Sequence, residues 1–312
     1  MTFESELSAS PRAGGTRSLR LLYFGMPLGA LLLAGDGHEI VYAGISRDDA
    51  PGLRRLRRQL GDRVRMRPDP SSPEAVARLA ALEPDLVVSW FWTKRLPREV
   101  LALGRRGAIG VHPSLLPRHR GADPFFWAID SGDAETGVTA HLLDERYDTG
   151  AILAARKLTI DPSWDAWTLA KKLDRPSLAL LREVVAAYAR GEPPKPRPQD
   201  ERAATQAPAP TEDMLEIRWS EPAETIARRI RASAPWPGAF TEIGGETVVI
   251  LRARPTRDFP RALEPGEAVV RADGTGVVRT GDAALELLAG RREEGDVELD
   301  RKALAEAISG SD

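Results

Sequence analysis

Along the first 190 residues, short apolar runs alternate with stretches whose apolar positions recur every three or four residues. This is the pattern of an α/β fold with a parallel-type sheet. Residues 18–24 (SLRLLYF) predict a first strand, followed by Gly25 and a helix over 28–34. Residues 38–43 (HEIVYA) predict a second strand, and 54–60 (RRLRRQL) a short basic helix. A third strand is expected at 64–67, and a helix over 73–82 with Val76, Leu79, Ala80 and Leu82 on one side. The run 85–91 (DLVVSWF) reads as a buried strand, 97–103 as a helix, and 107–111 as a strand that ends just before His112. A short helix over 124–129 and two pairing strands at 139–143 and 151–158 follow. The long amphipathic pattern over 164–190, with Leu169, Leu173, Leu178, Leu180, Leu181, Val184 and Val185, closes this half as a helix.

Residues 191–213 (GEPPKPRPQDERAATQAPAPTED) are rich in proline and nearly free of large apolar side chains, the composition of an inter-domain linker. Beyond them, runs at 247–252, 268–271, 276–279 and 284–288 are separated by Gly-Asp and Asp-Gly turns and predict a small OB-like β-barrel. Ile226 and Ile230 mark a helix over 222–232. The expected organisation is a tail over 1–17, a first domain over 18–190, the linker, and a second domain over 214–312.

Composition narrows the class. Apolar residues make up 42% and charged residues 29%, the balance of a soluble globular protein. No stretch approaches the roughly 20 apolar residues of a membrane span, and the first residues lack the apolar core of a secretory signal. A cytoplasmic protein with no membrane partner is therefore expected. There is no cysteine, and the four histidines (His38, His112, His119, His141) are too scattered for a metal-ligand motif.

The chemistry concentrates in residues 110–150, GVHPSLLPRHRGADPFFWAIDSGDAETGVTAHLLDERYDTG. His112 heads a His-Pro-Ser-Leu-Leu-Pro run, Arg120-Gly121 follows, and Asp148-Thr149-Gly150 closes the stretch. This pattern resembles the signature of the N10-formyltetrahydrofolate-dependent formyltransferases. Residues 215–240, with WSEPA, IRA and PWPGAF, are similar to the start of the C-terminal domain of methionyl-tRNA formyltransferases, a set that sugar-nucleotide formyltransferases share.

The resemblance implies a Rossmann-like formyltransferase domain with a small C-terminal barrel. It implies formyl transfer from N10-formyltetrahydrofolate to an amine, with His112 as oxyanion donor and Asp148 as its partner and proton relay. Asp148 is expected to raise the His112 pKa and to orient the ring. Ser114 either hydrogen-bonds near His112 or caps the Leu-Leu-Pro turn. Arg120-Gly121 is expected to brace the loop, and His141 to be a core histidine. The pterin ring is expected against Trp90 or Trp92, which strict alternation puts on one face, with Leu96, Leu143, Asp144 and Tyr147 as further folate contacts.

One position departs from the family motif. An asparagine belongs two residues before the histidine, and here Gly110 stands there. The chain contains no asparagine at all. Loss of one oxyanion donor costs about 10²–10³ in rate, so a slowed transferase and a folate-binding homologue without chemistry are both compatible with Gly110. The acceptor has two readings as well. The basic segment 45–59 is shorter than the corresponding loop of the tRNA enzymes. From Thr211 to Asp312 there are 14 basic and 20 acidic residues, a poor footprint for tRNA. A small amine or amino sugar is thus expected ahead of methionyl-tRNA.

Overall fold

The computed structural model describes residues 17–309. The tail expected over 1–17 lies, but for its last residue, outside them. The first half contains β1 (Arg20–Gly25), α1 (Pro27–Gly35), β2 (Glu39–Ile45), α2 (Leu53–Leu60), β3 (Val64–Met66), α3 (Pro73–Ala80), β4 (Leu86–Trp90), α4 (Arg98–Leu101) and β5 (Ala108–His112). It continues with α5 (Pro124–Asp130), β6 (Glu135–Leu142), β7 (Ile152–Thr159) and α6 (Ala166–Arg190). Local chemistry sets several of these ends. The Ser72 hydroxyl accepts from the Ala75 N–H at 3.1 Å and Pro73 opens α3. Asp165 caps α6 through the Thr168 N–H, and Gly191 ends it in the left-handed region at φ 80°.

The seven strands form one sheet in the order β3-β2-β1-β4-β5-β6-β7. The first five are parallel, while β6 runs antiparallel to β5 and β7 antiparallel to β6. This is the Rossmann-like arrangement, and the carboxyl ends of β1, β4 and β5 share one edge. Ligands bind at such edges in open α/β sheets. α6 covers one face with Leu169, Leu173, Leu180, Leu181, Val184 and Val185, all buried. A smaller apolar cluster, including Phe24, Leu79, Val87, Leu96 and Val100, fills the other face.

The second half holds α7 (Glu212–Leu215), α8 (Ala223–Ser233), β8 (Ala239–Ile243), β9 (Glu246–Thr256), β10 (Ala268–Val270), β11 (Gly276–Arg279), β12 (Ala284–Arg292), β13 (Val297–Asp300) and α9 (Arg301–Ser309). Its strands make a curled antiparallel sheet in the order β10-β11-β12-β9-β8, with β13 paired to β12, consistent with a small barrel. Ile226, Ile230, Val248, Ile250, Leu285 and Leu287 form a core of its own. It meets the first half through α8 and α5, where Arg229 is paired with Asp130 at 2.6 Å and both are largely buried.

The proline-rich segment read as a linker joins these halves, and it is also held to the first sheet. Arg197 and Ile152 exchange backbone hydrogen bonds at 2.9 and 2.8 Å. The His119 N–H donates to the Thr205 hydroxyl at 2.8 Å, and Ala207 exchanges backbone bonds with Arg120 and Asp123. The Thr205 and Ala207 N–H groups of this segment donate to the Pro117 and Arg120 carbonyls of the motif loop.

Candidate active site

β5 delivers His112 to the sheet edge, and its imidazole is buried. Its Nε2 lies 2.8 Å from the His119 carbonyl oxygen. A carbonyl only accepts, so Nε2 carries a hydrogen. Nδ1 is 3.4 Å from Asp148 Oδ2, longer than an ordinary hydrogen bond. Nδ1 is thus the nitrogen left for chemistry. Burial pushes the His112 pKa down, and the Asp148 carboxylate pulls it up by less. Asp148 therefore acts in the expected direction, but the net displacement is downward. His112 rests as a neutral imidazole with a lone pair on Nδ1 at neutral pH.

Asp148 sits in the loop between β6 and β7 with φ 56°, a left-handed conformation that aspartate tolerates better than most residues. Burial raises its pKa, but the two histidines and the Gly121 N–H outweigh burial and hold it at about 2. That N–H donates to Oδ2 at 3.0 Å. Gly121 has φ +122°, and a Cβ there would lie 2.8 Å from the Ala207 carbonyl oxygen, so a side chain would push away the N–H that holds Asp148. Gly150 is tighter still, with an added Cβ falling 1.8 Å from the Leu142 carbonyl oxygen. We expect Gly150→Ala to destabilise the fold by about 1–3 kcal/mol through overpacking. It should also displace Asp148; thermal melts and formyl-transfer rates on the purified variant check both effects.

The Asp148 loop is held from behind by Gln199. Its Nε2 donates to the Asp148 and Gly150 carbonyls at 2.8 and 2.7 Å. Its Oε1 accepts from Arg120 Nε and Nη2 at 3.0 and 2.8 Å. Arg120 is buried and also paired with Glu201, so the Arg-Gly pair braces the loop. Misplacement of a catalytic group by about 1 Å can cost 10² in rate. We expect Gln199→Leu to lower kcat about 10- to 100-fold with the folate KM little changed, which steady-state kinetics would measure.

A cleft of about 700 Å³ opens over these groups, within the roughly 300–1,000 Å³ of small-molecule sites. His112, Asp148, Gly110, His141, Leu143, Tyr147 and Trp92 all line it. Phe91 and Phe125, stacked at 6.5 Å, add a flat apolar wall suited to a fused ring. Among the described residues no cluster of histidine and carboxylate side chains is disposed to hold a metal ion.

Several expected residues are placed elsewhere. Trp90 and Trp92 do not share a face, because Phe91 has φ 53° and breaks the strand alternation. Trp90 turns into the α6 side, where its indole N–H donates to Ser177 Oγ at 2.8 Å. Trp92 lies in the opposite cluster with Phe24, 5.4 Å between ring centroids. Leu96 is buried in that same cluster and supports the cleft from below. Ser114 is buried, and its hydroxyl donates to the Arg118 carbonyl at 2.7 Å, closing the turn. Asp144 is exposed and accepts from the Thr149 hydroxyl and the Arg146 N–H, shaping the loop without lining the cleft.

Phe91 falls within the aromatic segment 89–93 that the resemblance places at the pterin, whereas Phe125, Gln199 and the stretch Gln206–Ala209, part of which also lines the cleft, are not signalled by the motif. Paired aromatics beside the Asp-Pro helix start were the available signal for Phe125. Nothing in a proline-rich stretch signals Gln199.

Comparison with known proteins decides the family. The formyl transferase family model matches residues 49–185, and its C-terminal domain model matches 211–302. A methionyl-tRNA formyltransferase of Roseiflexus sp. (strain RS-1) is 37% identical over 284 residues, 86% of this chain and 87% of that protein. The chain belongs to the formyltransferase family. The donor of this family is N10-formyltetrahydrofolate. A methionyl-tRNA formyltransferase of Bacillus licheniformis is 33% identical over 86% of this chain and 89% of its own. Among solved structures, HypX from Aquifex aeolicus in complex with tetrahydrofolic acid is similar in fold, with TM-score 0.65 and 22% identity over 94% of this chain. This chain spans 48% of that protein. The N-formyltransferase from Helicobacter canadensis, in complex with folinic acid and dTDP-3-aminofucose, has TM-score 0.66 and 13% identity over 86% of this chain and 98% of its own.

Proposed function

We propose that this formyltransferase moves the formyl group of N10-formyltetrahydrofolate to a primary amine in the cleft, with His112 and Asp148 as the reacting acid–base pair. The observation that carries this reading is the free Nδ1 of His112 facing Asp148 at 3.4 Å in a buried, aromatic-walled cleft. The amine nitrogen attacks the formyl carbon, and the carbonyl π pair moves to oxygen. The neutral His112 Nδ1 accepts the amine proton, and the Asp148 carboxylate balances the imidazolium that forms. The C–N10 bond then breaks, and the proton returns from His112 to N10. Trp92, Phe91, Phe125, Leu143 and Tyr147 would hold the folate ring. Gly110 also permits a slower transferase than its relatives, or a homologue that only binds folate.

As acceptor we put a small amine or amino sugar first. The C-terminal half is acidic, and several of its arginines are already paired, Arg254 and Arg271 with Glu286 and Arg292 with Glu246. Initiator methionyl-tRNA is the second reading, favoured by the full-length relatives and by the exposed Arg54, Arg55, Arg57 and Arg58 on α2. Tetrahydrofolate release with amino-sugar nucleotides and with charged initiator tRNA, alongside a salt titration of tRNA binding, separates them. Tight, steeply salt-dependent tRNA binding with tRNA-dependent turnover would overturn our preference. Folate binding without turnover on any amine would favour a folate-binding protein.

A further inference from the structure

The strand pairing puts His141 of β6 directly opposite Gly110 of β5. Both line the cleft. The imidazole is buried, its Nδ1 lies 2.8 Å from the Leu142 carbonyl oxygen, and its Nε2 lies 3.5 Å from Asp148 Oδ1. Asp148 is therefore flanked by two imidazoles, His112 on Oδ2 and His141 on Oδ1. The Leu142 carbonyl takes the Nδ1 hydrogen, and a hydrogen on Nε2 has the Asp148 carboxylate as its counter-charge.

Several other polar groups near Gly110 are committed, although the Trp92 indole N–H, also on the cleft, is buried without a partner among the described residues. The Thr139 hydroxyl donates to the Ser114 carbonyl at 2.7 Å and accepts from the Leu116 N–H at 3.1 Å. The Ser114 hydroxyl closes its own turn. The Trp90 indole is bonded to Ser177. A Cβ on Gly110 would lie 2.8 Å from Leu143 Cδ2, so a side chain there would require the Leu143 tip to shift. The cleft is built around a glycine at this position, with the His141 imidazole paired directly across the sheet from it.

We propose that His141 Nε2–H is the hydrogen-bond donor to the formyl oxygen as negative charge develops there, in place of a side chain at position 110. The two histidines then divide the work. His141 stabilises the oxyanion, while His112 Nδ1 takes the amine proton and returns it to N10.

This inference rests on the formyl-transfer reading, and its test separates the two. Tetrahydrofolate release from N10-formyltetrahydrofolate is measured for wild type, His141→Met, His141→Gln and Gly110→Asn, with 5-formyltetrahydrofolate affinity as the check on folding. His141→Met, which removes the donor, should lower kcat about 10²–10³-fold with the folate KM and 5-formyltetrahydrofolate affinity unchanged. His141→Gln, which restores an N–H, should recover at least about tenfold of that loss. Gly110→Asn should give no gain, since His141 already donates. Wild-type kcat in His141→Met, equal losses in the Met and Gln variants, or a gain of about 10²-fold in Gly110→Asn would each overturn the proposal. A wild type that releases no tetrahydrofolate to any amine or to water would overturn the transfer reading and this inference together.

Discussion

Asp148→Asn should lower kcat roughly 10³–10⁴-fold, by analogy with loss of the carboxylate beside a catalytic histidine, while folate binding persists. The amide can still accept the Gly121 N–H, so the loop should keep its place. What is lost is the charge that both imidazoles face. With His112 neutral at rest, the amine proton arrives on Nδ1 and creates an imidazolium in a buried site. Without a carboxylate 3.4 Å away, that cation is uncompensated.

The pH profile carries a second signature. Asp148 at about 2 stays ionised across the working range, so the proposed base role assigns the acid limb to His112. Burial lowers the His112 pKa below 6.5. The base form is thus fully present above that range and is lost as pH falls through the lowered value. Asp148→Asn removes the contribution that raises this pKa, so the limb of the residual activity should move to still lower pH. A limb that moved upward would contradict the assigned electrostatics.

The sheet was legible because its strands are apolar runs separated by helical spacing. β1, β4 and β5 fall within a residue or two of the pattern, and His112 emerges at the strand end, as read. The antiparallel course of β6 and β7 was left at simple pairing, since alternation does not encode direction. Trp90 and Trp92 were assigned to one face because strict alternation has no way to anticipate the φ 53° at Phe91. A backbone reversal at one residue sent the two indoles to opposite sides of the sheet.

The C-terminal runs were read, but β8, β13 and α9 were not, being short or embedded in charged sequence. Residues 191–213 were read by composition alone. Their prolines point to an extended connection and give no sign of Gln199, whose amide bonds hold Asp148. His141 stood in plain view at an alternating position with Thr139. Its significance depends on cross-strand register with Gly110, which a single sequence does not contain.

The account stands or falls on His112. Its Nε2 is held by the His119 carbonyl at 2.8 Å, which leaves Nδ1 as the nitrogen proposed to exchange a proton with the substrates. Alanine at this position removes the base, and a cavity beside Asp148 takes its place. Removing a member of a catalytic triad still leaves roughly 10³–10⁴-fold catalysis over water from the remaining groups, so a small residual rate is compatible with the assignment. The decisive measurement is amine-dependent tetrahydrofolate release by wild type and His112→Ala at equal folate saturation. The account predicts turnover in the wild type and a loss of about 10³-fold or more in the variant, with 5-formyltetrahydrofolate bound equally by both. Equal rates in the two proteins would contradict it.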